Sequence, residues 1–439
     1  MRRAWRQAAG FAKDQDGTTT VFGIFLFVTV LVIAGLALDV ANAYRIRTHL
    51  QVAGDAAGHA ALVAREFNSP SVAKARALEI ADVHLPSAKF GSVLRPEDII
   101  FGYWDEEDND FDADPYAFNA VLVNTGRAQD RSNSVSTYLL KFAGIDGFNV
   151  RRQTVFETYR PTCFREGFVG EDIVEVTSGN RYTSGFCVHS NTHVSVNSGN
   201  DFAPGTIVSM PDRREIEMPS SGFESNPGLD TALRDGSYKI RILQRIDAII
   251  AGVQNPSSVY YRDYITSSVP ISLSRNGKND ADTFTEGRIH KIDCNSPNQN
   301  TKLHAGTVLQ NVVIWTNCEM MFGEGVELRN VTIVNENTSE KSFNSASGIQ
   351  IGTNDHCKEG GGAQLVTLGG IDFPAQLKMY GGQMIAAKDI AFTAEANGVE
   401  GASVISGGRI DGTSGSVMGF CGGAGMENNF EAEYFRLAF

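Results

Sequence analysis

The chain has 439 residues, with 51 acidic against 38 basic side chains, a formal net charge of −13 and a pI of about 5.1. Single hydrophobic cores stop growing at about 250–300 residues, so more than one folding unit is expected; the acidic balance excludes a nucleic-acid-binding surface, which needs clustered Lys and Arg. With 45 glycines against 13 prolines, tight turns between short strands are favoured over proline-rich disorder.

In chain order, Arg2, Arg3, Arg6 and Lys13 make residues 1–16 a basic tail, and residues 17–38, GTTTVFGIFLFVTVLVIAGLAL, then carry no charge at all. A bilayer core of about 30 Å takes about 20 apolar residues at 1.5 Å each, so one helix over 17–38 is long enough to cross. Asp39 follows at once. The charge asymmetry predicts a cytoplasmic N-terminus in the bacterial inner membrane, with everything beyond residue 38 in the periplasm. A cleaved secretory signal is the alternative. It is disfavoured because the apolar run is too long and no small-x-small site leads into polar, structureless chain.

Residues 39–66 contain no proline, and Ala43, Ile46, Leu50, Ala53, Ala57, Ala60, Ala61 and Ala64 recur at helical spacing, so the helix is predicted to run on past the membrane. Gly54 and Gly58 lie four apart in a stripe of small residues where another backbone can approach closely. Arg45, Arg47, Gln51, Asp55 and Arg65 fall elsewhere on the wheel. Either another subunit or the chain's own exported domain packs on that stripe.

The basic tail, Phe11, Gly17, the span ending Gly-Leu-Ala-Leu-Asp39-Val, Arg47, Leu50-Gln51 and Asp55-Ala-Ala together resemble the N-terminal segment of TadE/TadG-like Flp pilus-assembly proteins. That resemblance covers only the start of the chain. It implies a membrane-anchored part in assembling, anchoring or exporting Flp-type (Tad) pili used for adhesion, with other Tad subunits as partners. Asp39, Arg47, Leu50, Gln51, Gly54, Asp55 and Gly58 are then the expected partner-contact face, polar residues beside a glycine stripe. There are departures. Gly54 and Gly58 stand where the family more often has alanine, and Phe22 holds the place of the glutamate that processed pilins carry. No Asp-x-Ser-x-Ser signature of a von Willebrand-type domain is present.

Ser69-Pro70 predicts a second helix, with Ser69 as N-cap and Pro70 at its first position, running to near Pro86. Strands are predicted at 99–104, 120–124 and 150–156 and a helix at 134–142, giving an α+β, pilin-like domain over 39–160. The succession FGYWD, Asn119-Ala-Val and a turn at 144–147 also resembles the membrane-proximal part of TadG-like proteins. The acid run at 105–114 fails as an EF-hand, since Ala113 stands where glycine belongs and Asn119 where the closing glutamate belongs. A solvated hairpin loop is predicted instead.

Residues 161–439 read as an all-β domain of short runs separated by Asn, Ser and Gly. The runs 309–315 (LQNVVIW) and 328–334 (LRNVTIV) align residue for residue. Such a period fits one coil of a parallel β-helix, with Val312 and Ile314 stacked on Val331 and Ile333 and Asn311 on Asn330 in a turn. A β-sandwich is the alternative. An excursion is expected at about 210–255, where Ile242, Leu243, Ile246, Ile249, Ile250 and Val253 form an amphipathic helix that lies along or caps the domain. Cys163, Cys187, Cys294, Cys318, Cys357 and Cys421 all follow the span and are disulfide candidates, and none forms a Cys-x-x-Cys pair.

Chemistry is sparse. Asp293, Glu324, Glu327, Asp372, Asp389 and Asp411 are scattered rather than paired as polysaccharide cleavage requires. His189 and His193 near Cys187 lack a third metal ligand in range, and neither a Gly-x-Ser-x-Gly elbow nor a phosphate loop is present. The expectation is a non-enzymatic structural component without cofactor or metal. A membrane-tethered polysaccharide-binding or polysaccharide-cleaving β-helix, with glycan as its ligand, and an envelope scaffold unrelated to pili are the alternatives.

Overall fold

The structure, a computed structural model, describes residues 16–412 and 415–439, so the basic tail with Arg2, Arg3, Arg6, Phe11 and Lys13 lies outside the described residues. Two compact units divide the chain: Met1–Tyr159 with Glu433–Phe439, and Arg160–Ala432.

The first unit is built on one helix, Asp16–Arg65, of 50 residues, or about 75 Å at 1.5 Å per residue. Its two halves differ in kind. Phe22, Phe25, Phe27, Ile33 and Leu36 are exposed apolar side chains on all sides, whereas Ile46, Leu50, Ala53, Ala57, Ala61 and Leu62 form one buried face. A helix apolar all round and unburied is what a membrane span looks like once the lipid is stripped away; an amphipathic one faces a core. By length and composition this is the one candidate span among the described residues.

Helix Pro70–His84 begins with extended Ser69 and a proline at its first turn, and buries Ala73, Ala77 and Ala81 at four-residue spacing. Small side chains let it lie close against the long helix, which in turn packs on a five-stranded antiparallel sheet. The strand order is Asp110–Ala113, Ile99–Asp105, Ala120–Arg127, Val150–Tyr159 and Tyr434–Leu437. The acid run makes the turn of the first hairpin, where Gly102 pairs with Ala113 and Asp105 with Asp110. The last strand comes from the C-terminus, pairing Tyr434 with Tyr159 and Leu437 with Phe156.

The helix predicted at 134–142 does not form. Val135–Ser136 pairs instead with Gly147–Phe148, and a single 3-10 turn occupies Leu140–Ala143. A helix over 134–142 would turn the amide N–H groups of Tyr138, Leu139 and Leu140 toward its own carbonyls. Here they donate to the Asp39 carboxylate.

The second unit is dominated by a 21-stranded sheet whose pairings are parallel, which removes the antiparallel sandwich. The internal repeat pairs as its sequence predicts: Leu309 lies beside Leu328, Val312 beside Val331 and Ile314 beside Ile333. Asn311 and Asn330 interrupt that ladder at φ of 54° and 50°, a left-handed conformation asparagine tolerates, and the Asn330 amide donates to Asn311 Oδ1 at 3.2 Å. From Ile314 the inward column continues through Ile333, Leu365, Met384, Val404, Phe168, Val188, Val208 and Leu233, all members of one buried cluster.

Sheet order is not chain order. Strand Gly167–Gly170, first in the unit, pairs on one side with Cys187–Ser190 and on the other with Ser403–Ser406 near the unit's end. The chain therefore enters and leaves at the middle of the stack. The excursion spans the difference: Leu233–Asp235 adds a parallel strand beside Val208–Met210, Leu229 and Ala232 are buried against the neighbouring strands, and helix Ile246–Gly252 packs on strands Glu327–Asn335 and Ala363–Thr367. It lies along the sheet's outer side. All six cysteines pair, as Cys163–Cys187, Cys294–Cys318 and Cys357–Cys421.

Candidate functional site

The residues that the sequence assigns to partner contact sit where the long helix emerges from its apolar half, and the first unit's own sheet takes up most of them. Leu50 is fully buried. The Gln51 amide donates to Asp55 Oδ1 and Thr154 Oγ1, both at 2.7 Å, while its Oε1 accepts from Arg152 Nε at 2.9 Å. Thr154 donates to Asp55 in turn. Such a closed, half-buried network satisfies its members internally.

The glycine stripe is filled from the same sheet. A Cβ on Gly58 would lie 3.0 Å from Phe156 Cδ2, and one on Gly54 would lie 3.4 Å from Thr125 Cγ2. Close backbone approach is thus used for helix-on-sheet packing within the chain, and Leu50, Gln51, Gly54, Asp55 and Gly58, expected on a partner-contact face, all make contacts inside the first unit. Arg47 stays exposed, 5.9 Å from the centre of the Tyr44 ring.

Asp39 has a different part. Although it is 1% exposed, its two carboxylate oxygens take three backbone donors, Tyr138 at 2.6 Å, Leu139 at 3.0 Å and Leu140 at 2.8 Å. The carboxylate therefore clamps the segment 137–146 to the helix at the residue where the apolar run ends. One turn earlier, Gly35 is covered by Leu139: a Cβ there would fall 2.7 Å from the Leu139 Cβ. The segment is closed on itself by Thr137, whose N–H donates to the Asp146 carbonyl at 3.2 Å and whose hydroxyl donates to the Ile145 carbonyl at 2.5 Å. It leaves Tyr138, Phe142 and Ile145 exposed, Phe142 by 83%. Sequence reasoning missed this, since the spacing at 134–142 suggested a helix. The signal available was an acid placed immediately after a charge-free span.

In the second unit the scattered acids stay scattered among ordinary ion pairs, Asp293 with Lys291, Glu327 with Arg329 and Asp372 with Lys341. A surface groove of ≈ 520 Å³ has Glu319, Glu340, Lys341, Asn344 and Asp372 in its lining, without an aromatic ring there for a sugar to stack on. His189 is buried, its Nδ1 2.8 Å from Ser209 Oγ and its Nε2 3.1 Å from Asn191 Oδ1, and burial holds it below the ordinary histidine range. His193 faces Glu217 at 3.4 Å, and Cys187 is spent in a disulfide. The two histidines and the cysteine therefore make no shared site.

Residues 167–422, more than half of the chain, match the family described as Domain of unknown function (DUF7867). The chain belongs to that family. Within this DUF7867 member, residues 17–69 also match the Flp pilus-assembly TadE/G-like family, and this match falls on the apolar span, Asp39 and the whole buried face of the long helix. No curated protein and no solved structure matches the chain. The TadE/G-like segment points to a Flp pilus-assembly role and to a membrane anchor.

Proposed function

We propose that the chain is a non-enzymatic, single-pass structural component of a Flp-type (Tad) pilus-assembly system, held in the bacterial inner membrane with its N-terminus cytoplasmic and both folded units periplasmic. The single observation behind this reading is that the TadE/G-like match covers the very helix that is apolar all round at one end and welded to a folded unit at the other. A continuous 50-residue helix fixes the first unit at the membrane surface without a flexible linker. Three disulfides beyond the span support an oxidising compartment.

The second unit is, on this reading, a parallel β-helix serving protein–protein contact in pilus biogenesis and adhesion. Its support is the stacked registers, the continuous inward column and the asparagine turn ladder. Arg47 and Tyr44 remain on the helix surface for other Tad subunits. The test is genetic. Removing the gene abolishes surface Flp pili and a plasmid copy restores them; normal piliation in the deletion strain would overturn the proposal.

A further inference from the structure

We propose that the segment 137–146 is a membrane foot, seated in the headgroup region of the same bilayer that the long helix crosses. This rests on the anchor reading above. The position of the segment follows from two contacts on the helix. Asp39 binds three consecutive N–H groups of the segment, and Leu139 covers Gly35 inside the apolar run. Gly35 lies four residues before Asp39, about 6 Å deeper along the axis at 1.5 Å per residue. A side chain resting against Gly35 is thus already below the level at which the charge-free span ends.

The exposed side chains of the segment have the composition of an interface. Tyr138 is 54% exposed, Phe142 83% and Ile145 44%, and Lys141 stands beside Phe142 with its Nζ 5.9 Å from the ring centre. Aromatic rings collect at the membrane–water boundary, and a lysine among them can hold an anionic headgroup while its stem stays apolar. Left in water, three large apolar side chains on one short turn would be an unexplained patch; set beside the span, they extend its hydrophobic surface sideways. The segment is also stiff enough to seat there, since its ends are tied by Thr137 to Asp146 and Ile145, and Gly144 and Ile145 donate back to Lys141 and Leu140. Asp39 thereby gains a purpose beyond folding: a carboxylate at the edge of the span is solvated by backbone donors that carry a lipid-binding turn into place.

Depth-dependent fluorescence quenching tests this on the full-length chain in proteoliposomes containing anionic lipid, with brominated acyl chains as quencher. Single Trp variants are compared with the unsubstituted chain, whose three native tryptophans are a common background. Phe142→Trp loses most of its added emission and shifts to the blue, as does Phe27→Trp within the span. Tyr116→Trp does neither: Tyr116 is 82% exposed, but its carbonyl accepts from Arg65 at the far end of the helix, about 39 Å beyond Asp39. Quenching at Phe27→Trp without quenching at Phe142→Trp would overturn the foot and leave the anchor standing. Absence of quenching at Phe27→Trp would remove the anchor and the foot together. Equal quenching at Tyr116→Trp would also overturn the proposal, since the lipid contact would not then belong to this segment.

Discussion

The two units solve the same problem, burying a sheet's apolar face, in opposite ways. In the second unit strands stack in parallel register, so the inward column from Ile314 to Leu233 is a run of equivalent positions and the sheet provides its own partner. In the first unit nothing repeats. A helix supplies the buried face through Leu50, Ala53 and Ala57, and the sheet is completed by a strand from the far end of the chain. Repetition makes a fold local and divisible, whereas a helix-rooted sheet depends on a few contacts remote in sequence.

The largest expected effect breaks the column at its seam. Phe168 stacks between Val188 and Val404 and meets the Phe186 and Phe392 rings at 5.1 and 5.5 Å, so Phe168→Ala should cost about 3–5 kcal/mol. Hydrogen exchange should quicken across 167–210 and 399–418 but stay unchanged in the long helix. Exchange spreading into the first unit would show that the two are not separately stabilised.

Next in size is Gly58→Leu, which drives methyl groups into Phe156 and should destabilise the first unit by about 1–3 kcal/mol, while Gly54→Ala, with ordinary contact room at Thr125, should fold normally. If Gly58→Leu left stability untouched and instead stripped away a co-purifying subunit, the stripe would face a partner after all. Asp39→Ala comes third: Tyr138, Leu139 and Leu140 lose their shared acceptor, and their amide exchange should accelerate with the rest of the unit protected. Unchanged exchange would mean that Asp39 does not clamp the segment.

The smallest effect vanishes at neutral pH. His290 is buried with its Nε2 accepting from the Thr285 N–H at 3.1 Å, and burial, helped by the Arg288 charge, lowers it from the ordinary 6.5 to about 4. Because the unfolded chain takes up this proton near 6.5 and the folded one only near 4, the second unit should lose stability as pH falls across that window. His290→Gln should flatten this part of the profile; an unaltered slope in urea titrations would contradict it.

What was legible in the sequence follows the same division. The charge-free span, the Ser69-Pro70 helix start, the acidic hairpin and the register of the 309–315 and 328–334 runs could be read directly, because each depends on neighbours or on an exact repeat. The C-terminal strand of the first sheet could not, since Tyr434 meets Tyr159 only through the fold. Nor could the place of strand Gly167–Gly170 between Cys187–Ser190 and Ser403–Ser406, which no local pattern encodes. For the site, polarity beside glycine did not say which residues would lie against it; Thr125, Thr154 and Phe156 do so from the same unit's sheet. The turn at 137–146 was misread because Asp39, a hundred residues away, supplies the acceptor that displaces a helix.

The proposed function rests on one claim, that a single uncleaved helix places both units across the inner membrane. Protease added outside spheroplasts is the direct measurement: the account predicts loss of everything beyond the span, with a short N-terminal fragment left in the membrane fraction. A chain left whole until the membrane is lysed, or one recovered in the soluble fraction, would contradict it.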